Sequence, residues 1–425
     1  MKVRSISLGC KVNSYESEYV LSSFKENGYE IVLDGEADVF IINTCSVTNQ
    51  SDAKSRKVIN RIARENPHAI IVVMGCFIEA NKDYDNPNVS IIIGNKDKNK
   101  VVSLVNEYIK DNKSKKLLYD DFDLKFEDMY ITHMNSRTRA FVKIQDGCEN
   151  FCSYCIIPYT RGKCRSKDKD KVLSEIRELV QNGYKEVVLT GIHTGHYGSD
   201  INSNLGDLLE EIVKIDNLQR LRLSSIEITE LDDKFLKILN DEKVIVSHMH
   251  IPLQAGSDEI LKLMNRKYDT KYFEDKINKI RSIRPDISIT TDVIVGFPGE
   301  DERLFKETYD FIKKIKFTKL HVFPYSSRHG TKAETMPNQV SEQTKKERVK
   351  ELLALSKNLE REYLEKFVGK VVSVLIETTA LESVGHTGNY LMVKVKDKIP
   401  HNEIVNVMID KVNDNYLEGT LYEEN

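Results

Sequence analysis

Three cysteines stand close together near the middle of the chain, and their side chains could bind iron. The stretch 146–159 reads DGCENFCSYCIIPY and places Cys148, Cys152 and Cys155 in a C-x3-C-x2-C pattern. A cubane iron–sulfur cluster has four irons and takes four thiolates, so three local cysteines leave one iron without a protein ligand. An open position at a metal is where a substrate or cosubstrate can bind. The pattern therefore predicts a four-iron cluster with one iron free to bind a second molecule.

S-adenosylmethionine (SAM) could be that second molecule, through its amino and carboxylate groups. An electron from the cluster could then break the sulfonium bond and release a 5′-deoxyadenosyl radical, and the stretch resembles the radical SAM superfamily in its spacing. The alternative is a zinc site with Cys164 as the fourth ligand. Zinc sites usually pair a C-x2-C with a second, distant pair, and no such pair follows in this sequence.

Length and composition limit the classes of protein that this chain could be. At 425 residues it should hold two or three domains, each able to bury a core. No apolar run is long enough to span a bilayer, and the first residues lack the features of a signal peptide. We therefore expect a cytoplasmic protein without a membrane, whose seven cysteines are metal ligands and spare thiols rather than disulfides. The net charge of −3 provides no overall basic field for nucleic acid.

Residues 1–112 alternate short apolar runs with amphipathic stretches, which predicts an α/β domain with a doubly wound parallel sheet. Cys10, Cys45 and Cys76 each follow one of these apolar runs. The carboxyl ends of strands in such a sheet line one edge, where ligands bind. Any one of these cysteines could be a small buried hydrophobic residue. Three of them at equivalent positions predict a second three-thiolate cluster.

A basic run and then an acidic run occupy residues 113–133, and we interpret this segment as a linker. Residues 134–366 then repeat the strand–helix pattern, with strand candidates at 141–145, 186–190, 220–224, 246–251, 288–295 and 319–324. These six β/α units predict a partial, six-unit TIM-type barrel. Its chemistry should lie where strands end, and the cysteine triplet follows the first strand.

The loops after the other strands contain residues that could contact SAM. Gly191 would allow the backbone to approach a ligand closely, and Glu227 could hold a ribose hydroxyl or an ammonium group. Each position taken alone has a simpler explanation, since a glycine often marks a turn and Ser257 could cap a helix. Their repeated placement at one barrel mouth predicts these cofactor contacts: Tyr154, Gly191, Glu227, Gln254, Ser257, Asp292 and Gly296.

Residues 367–425 show short alternating strands, which predict a small β-barrel of the kind that binds oligonucleotides. From Phe367 onward the segment has five lysines, no arginine and nine acidic residues, so it should attract phosphates weakly. A more basic stretch, RGKCRSKDKDK, begins just beyond the central cysteines. It predicts contacts from Arg161, Lys163 and Arg165 to substrate RNA, although such a run is often only a solvated face.

Several motifs together resemble the radical SAM methylthiotransferases over essentially the whole chain. They are LGCKVNSYES, IINTCSVT, the Gly-Cys pair at 75–76, the central cysteine stretch, HIPLQAGSD and TDVIVGFPGE. The resemblance implies a methylthiotransferase domain, a radical SAM domain and a carboxyl-terminal TRAM barrel, in that order. It also implies two [4Fe–4S] clusters. The auxiliary cluster would be held by Cys10, Cys45 and Cys76, and the catalytic, SAM-cleaving cluster by Cys148, Cys152 and Cys155, while Cys164 would have no ligand role.

Other motifs are similar to the branch that modifies N6-threonylcarbamoyladenosine in tRNA, next to the anticodon. They are LGCKVN, LTGIHTGHYG and RLSSIE. After the first cysteine, the isopentenyladenosine branch would have Gln-Met and the ribosomal-protein branch Pro-Lys, whereas this chain has Lys11-Val12. The implied reaction replaces C2–H of the adenine with a methylthio group, at the cost of one SAM as methyl donor and one as radical source.

The resemblance also implies partners: tRNA, a low-potential electron donor of the flavodoxin or ferredoxin type, and a sulfur source. The alternatives are a methylthiotransferase that acts on isopentenyladenosine tRNA or on a ribosomal-protein aspartate. A more distant alternative is a non-catalytic iron–sulfur or zinc protein that binds RNA. This alternative would leave the residues at the barrel mouth without a purpose, and it predicts no cleavage of SAM.

Overall fold

Six parallel strands form the sheet of the amino-terminal domain, as the alternating pattern predicts. The computed structural model describes residues 1–119, 125–135 and 137–423. The strands are β1 (Lys2–Ser7), β2 (Glu30–Ile31), β3 (Val39–Thr44), β4 (Ile70–Gly75), β5 (Ile91–Ile93) and β6 (Lys115–Leu117). Their order is β2-β1-β3-β4-β5-β6, and every neighbouring pair runs parallel.

Helices cover both faces of this sheet. They are α1 (Lys11–Glu26), α2 (Asn49–Glu65), α3 (Cys76–Ala80) and α4 (Val101–Asp111). Successive side chains of a strand point to opposite faces, so Ile41 lies in one core with Phe24 of α1, and Ile42 lies in a separate core with Phe77 of α3. Burying each such side chain contributes about 1.5–3 kcal/mol. The sheet is therefore doubly wound, as predicted.

The segment predicted as a linker, residues 113–133, is instead built into both neighbouring domains. It contributes β6 to the sheet, paired with β5. Met129 and Ile131 are buried in the core of the central domain, and residues 120–124 lie outside the described part of the chain. The charge runs of this segment predicted a solvated connection, but the apolar residues between the charges decide where it packs.

The central domain is a partial barrel. Its strands are β7 (Ala140–Lys143), β8 (Gln145–Asp146), β9 (Arg165–Ser166), β10 (Glu186–Thr190), β11 (Arg220–Leu223), β12 (His248–His250), β13 (Ser288–Val295) and β14 (Lys319–Pro324). β8 and β9 form a short antiparallel pair, and the other six are the parallel strands that the sequence predicts. They form two sheets, β11-β10-β7 and β12-β13-β14. Isolated β-bridges from Leu221 to Ile245 and from Ser225 to His250 connect the two sheets. Among the described residues no pairing joins β7 to β14, so the barrel is open there.

An outer layer of helices surrounds the barrel. These helices are α5 (Ile157–Arg161), α6 (Lys169–Gln181), α7 (Leu205–Ile212), α8 (Asp233–Asp241), α9 (Asp258–Leu263), α10 (Thr270–Ile283), α11 (Glu302–Ile315) and α12 (Glu342–Glu365). Polar side chains accept hydrogen bonds from the first turns of several helices, which satisfies free backbone N–H groups. The capping residues include Asp168, Asn204, Asp232, Asp269, Asp301 and Ser341. A search of the described helices finds none long and apolar enough to cross a membrane.

The carboxyl-terminal domain is a closed five-stranded barrel, as its short alternating strands predict. The strands are β15 (Val371–Thr379), β16 (Ser383–Thr387), β17 (Met392–Val395), β18 (Ile404–Val412) and β19 (Leu417–Leu421), in the order β15-β16-β17-β19-β18. Two glycines let strands approach closely. A Cβ at Gly385 would lie 2.2 Å from the Leu375 carbonyl oxygen, and one at Gly419 would lie 2.3 Å from that of Met408.

Arginines of β11 join the small barrel to the central domain. Arg220 donates hydrogen bonds to the carbonyl oxygens of His386 and Ser373, at 3.0 and 2.9 Å. Arg222 donates to the Gly388 carbonyl oxygen at 3.1 Å. The guanidinium of Arg222 also lies 4.7 Å from the ring centre of Tyr390. The small barrel is thus held against the face of β11 from which these arginines project.

Candidate active site

The three amino-terminal cysteines lie at one edge of the sheet. Cys10 follows β1, Cys45 directly follows β3 and Cys76 directly follows β4, and these three strands are neighbours. The sequence prediction that all three follow strand ends is therefore confirmed. Cys45 and Cys76 are buried, whereas Cys10 is exposed.

Glycines next to these cysteines make the close approach possible. A Cβ at Gly9 would lie 2.6 Å from Cys45 Cβ and 2.7 Å from its Sγ, and Gly9 has φ 96°. A Cβ at Gly75, which has φ 103°, would lie 2.5 Å from Asn43 Oδ1. A side chain at Gly9 would displace Cys45, and one at Gly75 would clash with β3, so each Gly-Cys pair in the sequence has a geometric reason.

Donors surround the sulfur of Cys76. Arg161 Nε lies 3.3 Å from Cys76 Sγ and Asn95 Nδ2 lies 3.5 Å from it. Burial raises the pKa of the Cys45 thiol to about 11. A cluster must displace the protons of these thiols, and hydrogen bonds to cluster sulfurs tune the reduction potential of a bound cluster. The thiols, the glycine space and the donors fit an iron–sulfur cluster.

A buried network of charged side chains lies behind Cys76 and ties the first two domains together. Its members are Glu16, Lys98, Lys143, Asp146, Arg161 and Arg165. Arg161 Nη1 lies 3.0 Å from both Glu16 Oε1 and Asp146 Oδ1. Burial raises the pKa of each carboxyl, but the cations hold the pKa of Glu16 and of Asp146 well below the ordinary range. Four cations face two carboxylates, so the network carries a net positive charge next to Cys76.

This network corrects the prediction that Arg161 and Arg165 contact RNA. Arg161 is fully buried and Arg165 is 6% exposed, and carboxylates already pair with both. A phosphate cannot reach a guanidinium in that position. Lys163, in contrast, is exposed, and its contact with RNA stays a prediction. The basic run looked like a solvated surface because sequence alone does not show which charges the amino-terminal domain covers.

The central cysteines lie in the loop between β8 and α5, beyond the end of β7. Backbone hydrogen bonds hold this loop, from Cys148 N to Gly162 O at 3.0 Å and from Cys155 N to Cys152 O at 2.9 Å. Gly147 has φ 75°, and a Cβ there would lie 1.9 Å from the Lys163 carbonyl oxygen. Burial raises the pKa of the Cys155 thiol to about 12. The three cysteines share one tightly turned loop, which fits a second cluster.

Arg266 and Glu227 lie next to this triplet. Arg266 Nη1 donates to Cys152 Sγ at 3.3 Å, and its Nη2 forms an ion pair with Glu227. Tyr154, also predicted to contact SAM, packs its ring edge-on against Phe297, with the ring centres 6.3 Å apart. Glu227 and Cys152 line the same small cavity. Glu227 therefore lies next to the triplet, and the SAM contacts of Glu227 and Tyr154 stay predictions. Sequence reasoning missed Arg266, which no local pattern marks.

The other predicted SAM contacts lie in different surroundings, and none of them lines that cavity. Gly191 packs against Gln145, and Gln254 pairs with Val293 beside Asp292 on β13. Ser257 donates to Glu307 Oε2 on α11 at 2.7 Å, and a Cβ at Gly296 would lie 2.3 Å from Lys345 Cγ on α12. Packing thus explains Ser257 and Gly296 without a ligand, and all five contacts stay predictions.

Two histidines of the loop after β10 also lie beside the central triplet. His193 Nδ1 is 3.7 Å from Cys148 Sγ, and the rings of His193 and His196 stack with their centres 3.9 Å apart. Cys164 Sγ lies 3.9 Å from His196 Nδ1. Burial raises the pKa of Cys164, but the two histidines lower it overall. The spacing of the two histidines in HTGH was the signal that sequence reasoning did not use.

A cavity of about 430 Å³ lies where the three domains meet. Cys10 and Lys11 of the amino-terminal domain form one wall, Arg222 of the central barrel another, and Tyr390 of the small barrel a third. Because Cys10 is the exposed member of its triplet, this cavity gives a bound molecule access to it. The sequence alone did not show that the three domains share one cavity.

Three family models match successive parts of the chain. They are the Uncharacterized protein family UPF0004 over residues 2–94, the Radical SAM superfamily over residues 142–312 and the TRAM domain over residues 365–422. Among solved structures, the chain is similar to the radical SAM methyltransferase TsrM from Kitasatospora setae, with a TM-score of 0.58 and 12% identity. This likeness covers 78% of this chain and 73% of TsrM, and it concerns the fold alone.

Relatives of known name match over nearly the full length. The chain is 43% identical to the threonylcarbamoyladenosine tRNA methylthiotransferase MtaB of Bacillus subtilis, over 97% of this chain and 94% of the relative. It is 39% identical to MtaB of Aquifex aeolicus, over 96% of this chain and 100% of the relative. It is 34% identical to a tRNA-2-methylthio-N(6)-dimethylallyladenosine synthase of Natranaerobius thermophilus, over 100% of this chain and 97% of the relative.

The partial barrel, with its cysteine triplet after the first strand, defines a radical SAM protein, and the small barrel adds a TRAM domain. SAM and [4Fe–4S] clusters are the cofactors of this class, and both cysteine sets fit such clusters. With relatives this similar over the whole length, the chain belongs to the radical SAM tRNA methylthiotransferase family.

Proposed function

We propose that this protein replaces C2–H of N6-threonylcarbamoyladenosine, next to the anticodon of tRNA, with a methylthio group. The product is 2-methylthio-N6-threonylcarbamoyladenosine. The observation that carries the proposal is the cavity at the junction of the three domains, which Cys10 and Tyr390 both line. The names of the relatives with 43% and 39% identity support this substrate.

The chain's own residues have separable tasks in this proposal. Bound SAM and the two clusters would supply radical chemistry and a place for the transferred sulfur. Cys148, Cys152 and Cys155 would hold the SAM-cleaving cluster, and Arg266 would orient Cys152 by its hydrogen bond. Arg161 would play the equivalent part for Cys76 at the auxiliary cluster.

The donors of electrons and sulfur act from outside this chain in the proposal. A flavodoxin or ferredoxin type of protein would supply low-potential electrons, and a separate sulfur source would supply the sulfur atom. We expect the protein to act in the cytoplasm, where its tRNA substrate is found.

The experiment that tests the proposal is a turnover assay on defined anticodon stem-loops. Anaerobically reconstituted protein is incubated with SAM, sulfide, a reductant and an RNA that carries threonylcarbamoyladenosine. Nucleoside mass spectrometry then measures the methylthio product. A parallel reaction uses a stem-loop with dimethylallyladenosine, and the cluster-deficient variant C155A serves as the control. Turnover of the dimethylallyl RNA alone, or of neither RNA, would overturn the proposal.

A further inference from the structure

The cavity shared by the three domains has an excess of positive charge. Four cationic side chains and a single carboxylate, that of Glu377, line it: Lys11, Arg137, Arg139 and Arg222. Glu377 Oε1 lies 3.0 Å from Arg139 Nη2 and accepts a second contact from His386 at 2.9 Å. The charge of Glu377 is therefore already engaged by Arg139 and His386, and it does not neutralise Lys11 or Arg137.

Two cationic groups in this wall, Lys11 and Arg137, lack such a partner, and a third, Arg222, has one nitrogen without a hydrogen bond. None of the residues that the structure describes forms an ion pair with Lys11 or Arg137. Within the described part of the chain, Arg137 donates to Ser14 Oγ at 3.3 Å and lies over the ring of Phe141. Arg222 is 2% exposed, and its Nη1 has no hydrogen-bond partner within the described ranges, although its Nε binds Glu186. An unsatisfied buried guanidinium nitrogen is costly unless a ligand completes it.

The chemistry that this wall lacks is a carboxylate. Guanidinium groups bind carboxylates through two parallel hydrogen bonds, and such charge-assisted bonds are about twice as strong as neutral ones. A hydrocarbon group here would instead leave the buried Arg222 nitrogen unpaired and would displace water from Lys11 and Arg137 without replacing its hydrogen bonds. The wall is thus built to accept an anionic group and to reject an apolar one.

We propose that Lys11, Arg137 and Arg222 bind the free carboxylate of the threonyl group on the substrate adenosine and so select this substrate over one with an alkenyl group on N6. The inference rests on the proposed function and adds to it the residues that decide specificity. C2 and C6 of adenine flank N1, and C6 carries N6, so a base held by its N6 substituent at this wall would present C2 elsewhere in the same cavity, which Cys10 also lines.

The test changes the protein and the substrate together. Lys11→Met and Arg137→Met each remove one cation without breaking an ion pair, whereas Arg222 also supports Glu186. Each variant is assayed on a stem-loop with threonylcarbamoyladenosine and on one in which a carboxamide replaces the threonyl carboxylate. The matched control is Lys214→Met, an exposed lysine paired with Glu211 on the outside of the barrel. Iron content per chain verifies that each variant has kept its clusters.

We expect each variant to lower kcat/KM for the carboxylate substrate by about tenfold to a hundredfold, the usual value of a charge-assisted bond. Replacing the carboxylate with a carboxamide should lower kcat/KM of the wild type by a similar factor. On the carboxamide substrate, the variants should have nearly the same kcat/KM as the wild type. Equal losses on both substrates would mean that Lys11 and Arg137 contact the RNA backbone, and would overturn the proposal. So would a wild type that turns over both substrates equally, a result that needs no variant. Failure of the wild type on the carboxylate substrate would instead refute the proposed function.

Discussion

Replacing Arg161 with methionine should destabilise the joint between the first two domains. Arg161 is fully buried and bonds Glu16, Asp146, Asn13 and the sulfur of Cys76. Methionine has a similar length but leaves these acceptors without their shared donor. Removing one partner of a buried ion pair costs about 3–5 kcal/mol, because the remaining charges stay desolvated.

That cost can be expressed as a melting temperature. The unfolding entropy near 60 °C is about 2.1 cal/mol/K per residue, so a unit of about 360 residues has about 0.75 kcal/mol/K. A loss of 3–5 kcal/mol in such a unit lowers the Tm by about 4–7 °C. Differential scanning calorimetry of the iron-free protein measures this shift without the stability that a bound cluster adds.

The matched control is R303M. Arg303 also pairs with two carboxylates, those of Glu259 and Glu307, but its side chain is 58% exposed. Exposed pairs contribute about 0–1 kcal/mol, so the Tm of this variant should change by about 1 °C or less. A fall of less than about 2 °C for R161M, or equal falls for both variants, would refute the argument that burial makes this network stabilising.

Three further predictions concern the clusters, a glycine and a buried acid. Alanine at all three central cysteines should leave about half of the iron bound, as iron analysis will show. Alanine at the three amino-terminal cysteines should preserve SAM cleavage, measured as 5′-deoxyadenosine, and should abolish methylthio transfer. G147A should lose the SAM-cleaving cluster, because the added Cβ would clash with the Lys163 carbonyl oxygen. The control G183A also lies at positive φ, but its added Cβ would meet no neighbouring atom, so it should retain the cluster. Iron analysis and SAM-cleavage assays measure both outcomes. Burial raises the pKa of Glu300 to about 7, so the proton is held more tightly in the folded state and stability falls as pH rises from about 4.5 to 7. Relative to E300Q, the wild type should lose up to about 3 kcal/mol over that range, measured by urea unfolding of the iron-free protein.

Sequence patterns alone were sufficient to predict the strands and helices and the positions of the cysteines at strand ends. Period-two and helical patterns are local properties of the chain, so the six parallel strands of the barrel and the small closed barrel could be predicted. The positions of Cys10, Cys45 and Cys76 after strands also follow from local order, because parallel strands bring their carboxyl ends to one edge. The segment 113–133 was misjudged because the pairing of β6 with β5 depends on a distant strand.

Only the tertiary structure decided which charges are buried and which remain free. Arg161 and Lys163 are two residues apart in one basic run, yet the amino-terminal domain covers the first and leaves the second exposed. Arg266 reaches Cys152 from more than a hundred residues away, and Arg222 meets Lys11 only where three domains enclose one cavity. Sequence determines the charge of each side chain, but burial and pairing depend on what packs against it, and that is settled by contacts between distant parts of the chain.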